Sequence, residues 1–325
     1  MTSVEACFQS AKTSVSVFEP AAQPIYRLRG ADVTRYLHGR VTQDIKSLRP
    51  GSGARSLVLT PQGRILGHFQ ILCESGGYLL VVDPLSTPAA QDDFVHALLQ
   101  FKVADDVVLT PEAELQILSI IGPEAERLLE ALTSVVLPTG QLSHETVQAA
   151  GAAVVCVRHQ RGAFAGFDII CSKHHASEVL SEIRRLKPEV SVGDAEAFEA
   201  IRIAAGIPRM EADLSEQVLA PDIDLTELAS FQKGCYAGQE VVEMATARGR
   251  PNRKLVLLRG SAAEPLPEKL ELYSDEQLCG AVTSSFCLPS KQEVYALAFL
   301  KTALADRTEY RTQSGIRLIP SPQDL

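Results

Sequence analysis

The sequence predicts an α+β protein made of two similar halves and a smaller C-terminal antiparallel β unit. Strand-like alternation followed by helix-like spacing of apolar residues occurs over 25–109 and again over 115–205. Beyond about residue 246 that cycle gives way to short apolar runs separated by Gly, Pro and Ser, as in small antiparallel β units. A chain of 325 residues, 46% hydrophobic and 22% charged, is long enough for two or three packed units of ordinary globular composition. The expected boundaries are a core over 1–245, divided into halves 1–114 and 115–245, and a β domain over 246–325.

The elements follow in order. A Ser-rich leader runs to about Pro20, after which Ile25–Leu28 reads as a strand. Gly30 and Asp32 read as a turn and cap, and Val33–Leu37 as a helix start. Residues 55–59 and 64–72 alternate around the turn Pro61-Gln62-Gly63, and Tyr78–Val82 continues the meander after Gly76-Gly77. Phe94, Ala97, Leu98 and Phe101 are spaced for a helix over 88–101, and Val107-Val108-Leu109 returns to the strand pattern. The second cycle places strands over 115–121, 152–158 and 167–171, with helices over 124–132, 176–186 and 195–205. Pro188 and the pair Gly206 and Pro208 stop the last two helices. In the C-terminal unit, 255–258, 281–283 and 295–299 read as strands, and the boundary falls near Thr246–Asn252.

Composition narrows the function. Thirty-one basic against forty acidic side chains give a formal charge of −9, which repels polyanions at long range and argues against direct nucleic-acid binding. No apolar stretch approaches the roughly 20 residues that span a bilayer, and the first twenty residues carry no secretory or mitochondrial signal, so a cytoplasmic monomer is expected. The seven cysteines form no CxxC pair, which fits reduced thiols, and neither they nor the histidines have the spacing of a metal site.

The most informative stretch is Phe231-Gln232-Lys233-Gly234-Cys235-Tyr236-Ala237-Gly238-Gln239-Glu240, where thiol, ammonium, aromatic, amide and carboxylate crowd together between glycines. On an extended segment Lys233 and Cys235 share a face, and a nearby ammonium favours the reactive thiolate. The order Lys-Gly-Cys-Tyr-x-Gly-Gln-Glu resembles the signature of the YgfZ family, relatives of the glycine-cleavage aminomethyltransferase (T-protein) that include mitochondrial iron–sulfur assembly factors. Four other segments agree in the same order: Tyr36–Ile45, Thr60–Ile65, Arg202–Pro208 and Gly280–Ser284. The resemblance covers nearly the whole chain.

It implies a pseudo-symmetric, ferredoxin-like α+β core around a central folate pocket, with a C-terminal β-barrel over it. It also implies a bound reduced folate, tetrahydrofolate first, and iron–sulfur proteins or their assembly factors as partners, linking the chain to cluster assembly or repair and thereby to tRNA modification. Cys235 is then the functional thiol with Lys233 beside it, and Phe198, Tyr236, Gln239, Glu240 and Arg248 are the candidate folate contacts. Phe198 and Tyr236 stand in for the tryptophans that can line the family's pocket, since this chain has none. Gln239 and Glu240 have an alternative role in capping a helix, and Arg248 in a solvated linker with Arg250, Arg253 and Lys254. His38 and His68 are expected to pack or hydrogen-bond locally.

Two positions depart from the aminomethyltransferase pattern. Ala204 stands where those enzymes place a Glu against the pterin, and Gly63-Arg64-Ile65-Leu66-Gly67-His68 lacks their catalytic acid. Folate-dependent aminomethyl transfer is therefore the alternative that the residues oppose, and a non-catalytic scaffold is a further one.

Overall fold

The computed structural model describes residues 3–136, 138–247 and 251–321. It opens with helix α1 (Ser3–Thr13) and strand β1 (Ser16–Phe18), where the sequence reads only as a leader. The serines obscure an amphipathic helix whose buried side chains are Glu5, Cys7, Phe8 and Ala11. Their hydroxyls are satisfied locally, Ser10 donating to Val15 O and Ser16 to Cys7 O.

The first half comprises β2 (Ile25–Arg29), α2 (Val33–Arg40), β3 (Gly53–Leu59), β4 (Ile65–Glu74), β5 (Gly77–Val82), α3 (Pro88–Leu99) and β6 (Val108–Pro111). The second comprises β7 (Leu115–Ile121), α4 (Ala125–Thr133), β8 (His144–Ala149), β9 (Ala152–Arg158), β10 (Gly166–Ser172), α5 (Ala176–Leu186) and β11 (Ser191–Gly193). Helices α6 (Ala195–Ala204) and α7 (Gln239–Ala247) flank a long loop region, and β12 (Arg253–Ser261) begins the C-terminal unit. That unit continues with β13 (Glu271–Ser274), β14 (Gln277–Leu288), β15 (Glu293–Lys301), β16 (Tyr310–Arg311) and β17 (Arg317–Pro320).

The first sheet has the order β3-β4-β5-β2-β6 and the second β8-β9-β10-β7-β1-β11. Matched strand for strand, the two orders are the same except that β1 is inserted between β7 and β11, antiparallel to the former and parallel to the latter. The core is thus pseudo-symmetric, and residues 3–18 pair with the second half although they precede the first. Ile25, Leu72, Leu79 and Val81 of the first half form a buried cluster with Ile117, Leu142, Val157 and Ile170 of the second. Strands β12 to β17 close into an antiparallel barrel in the order β12-β15-β14-β13-β16-β17. Phe286, Tyr295 and Leu297 of the barrel pack with Phe8 of α1 and with Ala197, Ala200 and Ile201 of α6.

Two local differences from the sequence reading have clear causes. Strand β8 is polar, with only His144, Val147 and Ala149 buried, so period 2 is masked. It pairs with β9 through a two-residue turn in which Ala150 and Gly151 both have positive φ, 50° and 91°, the geometry that matches strand twist. Helix α3 ends at Leu99 rather than at Phe101, whose ring is exposed beneath the Arg40 guanidinium at 4.6 Å.

Candidate functional site

Residues from β3, β4, the end of β5, the β9–β10 connection and α6 surround a small central chamber of about 60 Å³. It is lined by Arg55, His68, Gln70, Asp83, His159, Arg161, Phe198, Glu199, Arg202 and Arg209, among others. A groove of about 400 Å³, reaching Gln141, Gln160, Asp224, Glu227 and Leu255, shares Arg55, Ile207 and Pro208 with it. Helix α6 places Phe198 and Glu199 on the chamber; Asp194 caps it, its carboxylate accepting from Ala197 N at 3.1 Å. The Phe198 ring meets Phe18 edge to face at 6.1 Å and carries the Arg161 guanidinium 5.1 Å above it.

The charges around the chamber are mostly paired. Arg161 donates to both Asp168 oxygens at 2.8 Å, His159 Nδ1 lies 2.7 Å from Oδ2, and Ser119 Oγ donates to Oδ1 at 2.6 Å. Burial pushes the His159 imidazole down to about 4, with Arg161 acting the same way. Burial alone would raise the Asp168 carboxyl, but Arg161 and His159 reverse this and hold it far below the usual carboxylate range. Arg202 donates to Asp213 at 2.7 Å, Glu199 at 2.8 Å, Ile207 O at 2.6 Å and Ser284 Oγ of the barrel at 3.1 Å. Arg209 also donates to Glu199, at 3.1 Å. Arg202–Pro208 and Gly280–Ser284, distant in sequence, therefore meet at one guanidinium that ties the barrel to the core.

The other three segments meet at a second corner. The Lys233 ammonium is buried and donates to Val41 O at 2.6 Å, to Gln43 O at 3.0 Å and to His38 O. Burial pushes this amine down to about 8, and the carboxylate of Asp44 opposes the shift. A Cβ on Gly238, whose φ is +86°, would stand 2.6 Å from Thr60 O, so only glycine admits this approach to the 60–63 turn. Tyr236 is buried with Leu57, Leu59 and Val242, and the Lys233 ammonium lies 4.9 Å from its ring centre. Gln239 orients the loop, its Oε1 accepting from Tyr236 N at 3.3 Å and its Nε2 donating to Glu243 at 2.6 Å.

Cys235 is exposed, whereas five of the other six thiols are buried and Cys287 is half-buried. Burial raises Cys7, Cys73, Cys156, Cys171, Cys279 and Cys287 above the ordinary thiol value. The structure places the expected site residues Lys233, Cys235 and Tyr236 at this second corner. Lys233 turns inward to three carbonyls, Cys235 turns outward, and neither they nor Tyr236 and Gln239 line the chamber or the groove. Glu240 is exposed on the first turn of α7. Arg248 lies outside the described residues. Of the candidate folate contacts that can be placed, Phe198 alone lines the chamber.

A sequence model of the family described as the GCVT N-terminal domain matches residues 1–233. The chain belongs to the GCVT N-terminal domain family. Among proteins of this kind it is similar to the tRNA-modifying protein YgfZ of Escherichia coli O45:K1 (strain S88 / ExPEC), 26% identical over 274 residues, covering 82% of this chain and 80% of that protein. It is also similar to the tRNA-modifying protein YgfZ of Shigella dysenteriae serotype 1 (strain Sd197), 26% identical over 243 residues, covering 74% and 70%. The fold is that of glycine cleavage system aminomethyltransferase T from Bartonella henselae, with a TM-score of 0.83 and 20% identity over 99% of this chain and 89% of that one. The YgfZ resemblance read from the five segments and the expected fold of a pseudo-symmetric α+β core with a C-terminal barrel are both borne out.

Within this GCVT N-terminal domain chain, several chamber residues, His159, Arg161 and Glu199 among them, were not singled out in the sequence. Arg55 and Asp83 carried no signal among ordinary strand-end charges, and His68 read as a local hydrogen-bonding residue. The signal available for His68 was its place at the end of Gly63-Arg64-Ile65-Leu66-Gly67-His68, where the aminomethyltransferase pattern has its acid. Among the described residues no helix is long and apolar enough to cross a membrane, and no three His, Cys, Asp or Glu are grouped to hold a metal.

Proposed function

We propose that this chain holds a reduced folate in the central chamber and groove and supports iron–sulfur cluster assembly or repair through the thiol of Cys235, thereby serving tRNA modification. One observation carries the reading: the segments Tyr36–Ile45, Thr60–Ile65 and Phe231–Glu240 converge to immobilise Lys233, and the loop so fixed presents the chain's one exposed cysteine. A buried cation on three carbonyls is a costly way to shape an ordinary loop. A thiol displayed on a rigid loop is accessible to a cluster or to a partner's sulfur. The name of the YgfZ relatives supports the link to tRNA modification.

The residues of the chamber fit a folate in chemistry. Phe198 supplies an aromatic wall, Glu199 and Asp83 supply acceptors for an aminopyrimidine edge, and Arg55 at the groove supplies a cation for the anionic tail. The chamber alone is smaller than the roughly 300–1,000 Å³ of usual ligand sites, and the adjoining groove brings the combined space into that range. Folate would supply a one-carbon carrier there, and the protein's own groups would bind and orient it. Aminomethyl transfer is disfavoured: Ala204 is sealed within an apolar cluster, and Gly67-His68 stands where the pattern has its catalytic acid.

Two measurements test the proposal. Calorimetric titration of the full chain with tetrahydrofolate is expected to give a saturable isotherm, and a flat one removes the ligand. Cells relying on a Cys235→Ala variant are expected to lose activity of iron–sulfur tRNA-modifying enzymes while the variant accumulates normally; full activity removes the thiol's role.

A further inference from the structure

We propose that the β3–β4 face of the chamber reads the N–H/C=O lactam edge of a planar heterocycle, with His68 Nε2 accepting from the ring N–H and the Arg55 guanidinium donating to the neighbouring carbonyl. The inference rests on the folate reading and assigns the contact that recognises the pterin.

His68 is 5% exposed and its Nε2 is buried with no hydrogen-bond partner. Its Nδ1 lies 2.8 Å from Asp83 Oδ2, and the same oxygen accepts from Met210 N at 2.9 Å. Asp83 N also donates to His68 O at 3.1 Å, so the pair is fixed by its backbone as well. A carboxylate held in this way accepts a hydrogen bond from Nδ1–H, and the neutral ring then has its lone pair on Nε2. The wall therefore contains an acceptor that lacks a donor.

Arg55 supplies the complementary half. The other guanidiniums of the chamber are committed: Arg161 to Asp168, Arg202 to Asp213 and Glu199, and Arg209 to Glu199. The hydrogen-bond partner of Arg55 is the exposed Glu227, at 3.3 Å across the groove. In the β3–β4 register Arg55 is opposite Gln70 and Leu57 is opposite His68. Arg55, Gln70 and His68 thus project from the same face, with Arg55 and His68 as diagonal neighbours about 7–8 Å apart at most. An amide or lactam edge has a donor and an acceptor side by side and spans such a pair.

Pterins and guanine share this edge, so the titrations compare 6-methyltetrahydropterin, its N3-methylated analogue, p-aminobenzoylglutamate and guanosine with the full chain. The unmodified pterin is expected to bind roughly 10- to 100-fold more tightly than the N3-methylated one, the range that follows from losing one buried hydrogen bond. His68→Phe is expected to weaken the pterin by the same factor and to leave p-aminobenzoylglutamate unchanged, while His68→Gln, which keeps an acceptor, retains binding. Equal binding of the two pterins by the wild-type protein, a result that requires no variant to fold, overturns the inference and leaves the folate reading standing. Binding of guanosine in preference to the pterin keeps the lactam reader and removes folate. Flat isotherms for all four compounds and for tetrahydrofolate overturn both.

Discussion

Lys233 shows how a single side chain sets a loop. Its ammonium takes three main-chain carbonyls, from His38, Val41 and Gln43, that lie at and beyond the end of α2. Lys233→Met keeps the apolar stem but leaves those carbonyls without a donor, and the expected cost is about 2–4 kcal/mol. Urea unfolding followed by circular dichroism measures it, and a variant as stable as the wild type would show that the carbonyls find water instead. At this scale the sequence was legible where unlike groups crowd between glycines, as at 233–240. It was not legible at Arg55 and Asp83, because a charged residue near a strand end looks the same whether it faces solvent or a chamber, nor at His68, which reads as an ordinary polar residue inside a strand. Even within the legible motif, direction was lost: alternation places positions 233 and 235 on one face only if the segment is a strand, and it is a loop.

The hairpin of β9 and β10 carries its own acid sensitivity. His159 and Asp168 lie on its two arms, buried with Arg161, and His159 titrates near 4 rather than near 6.5 because burial disfavours its charge. Between those values the unfolded chain binds a proton that the folded chain refuses, so the unfolded state binds more protons and stability falls as pH falls. The stability present above about pH 6.5 is expected to decline by up to about 1.4 kcal/mol per pH unit towards pH 4. Asp168, held lower still, adds its share only below the ordinary carboxylate range. Urea midpoints at pH 7 and pH 5 should differ more for the wild type than for His159→Gln, and equal differences would place the acid sensitivity elsewhere. Strands carried by apolar runs bounded by turn residues, such as β4, β7 and β10, were readable from the sequence. Strand β8 and helix α1 were hidden because polar residues whose partners lie in the backbone break the pattern.

Across the whole molecule the two sheets repeat one strand order, and β1 is the extra strand through which β11 joins the second sheet. Val15, Val17 and Phe18 are fully buried, and the Phe8 ring packs edge-on or tilted against Phe164, Phe286 and Tyr295, so the N-terminal segment joins the second half to the barrel. Deleting residues 1–18 is expected to lower the melting temperature by well over 10 °C and to expose the second half to protease before the first. Equal protection of both halves in a time course by mass spectrometry would count against this. The overall architecture was legible through period changes and the five segments, while the return of the N-terminus to a distant sheet was not, because strand pairing over such separations leaves no local trace.

That return imposes an order on synthesis. The first sheet draws on residues 25–111 alone and is complete once they emerge, yet β1, made earliest, has no parallel partner until Ser191–Gly193 leaves the ribosome. At ordinary elongation rates that wait is roughly 10–35 s. Through it the nascent chain carries an apolar strand and the face of α1 without their partners, a window in which exposed apolar surface and an unpaired strand edge are open to pairing with another molecule.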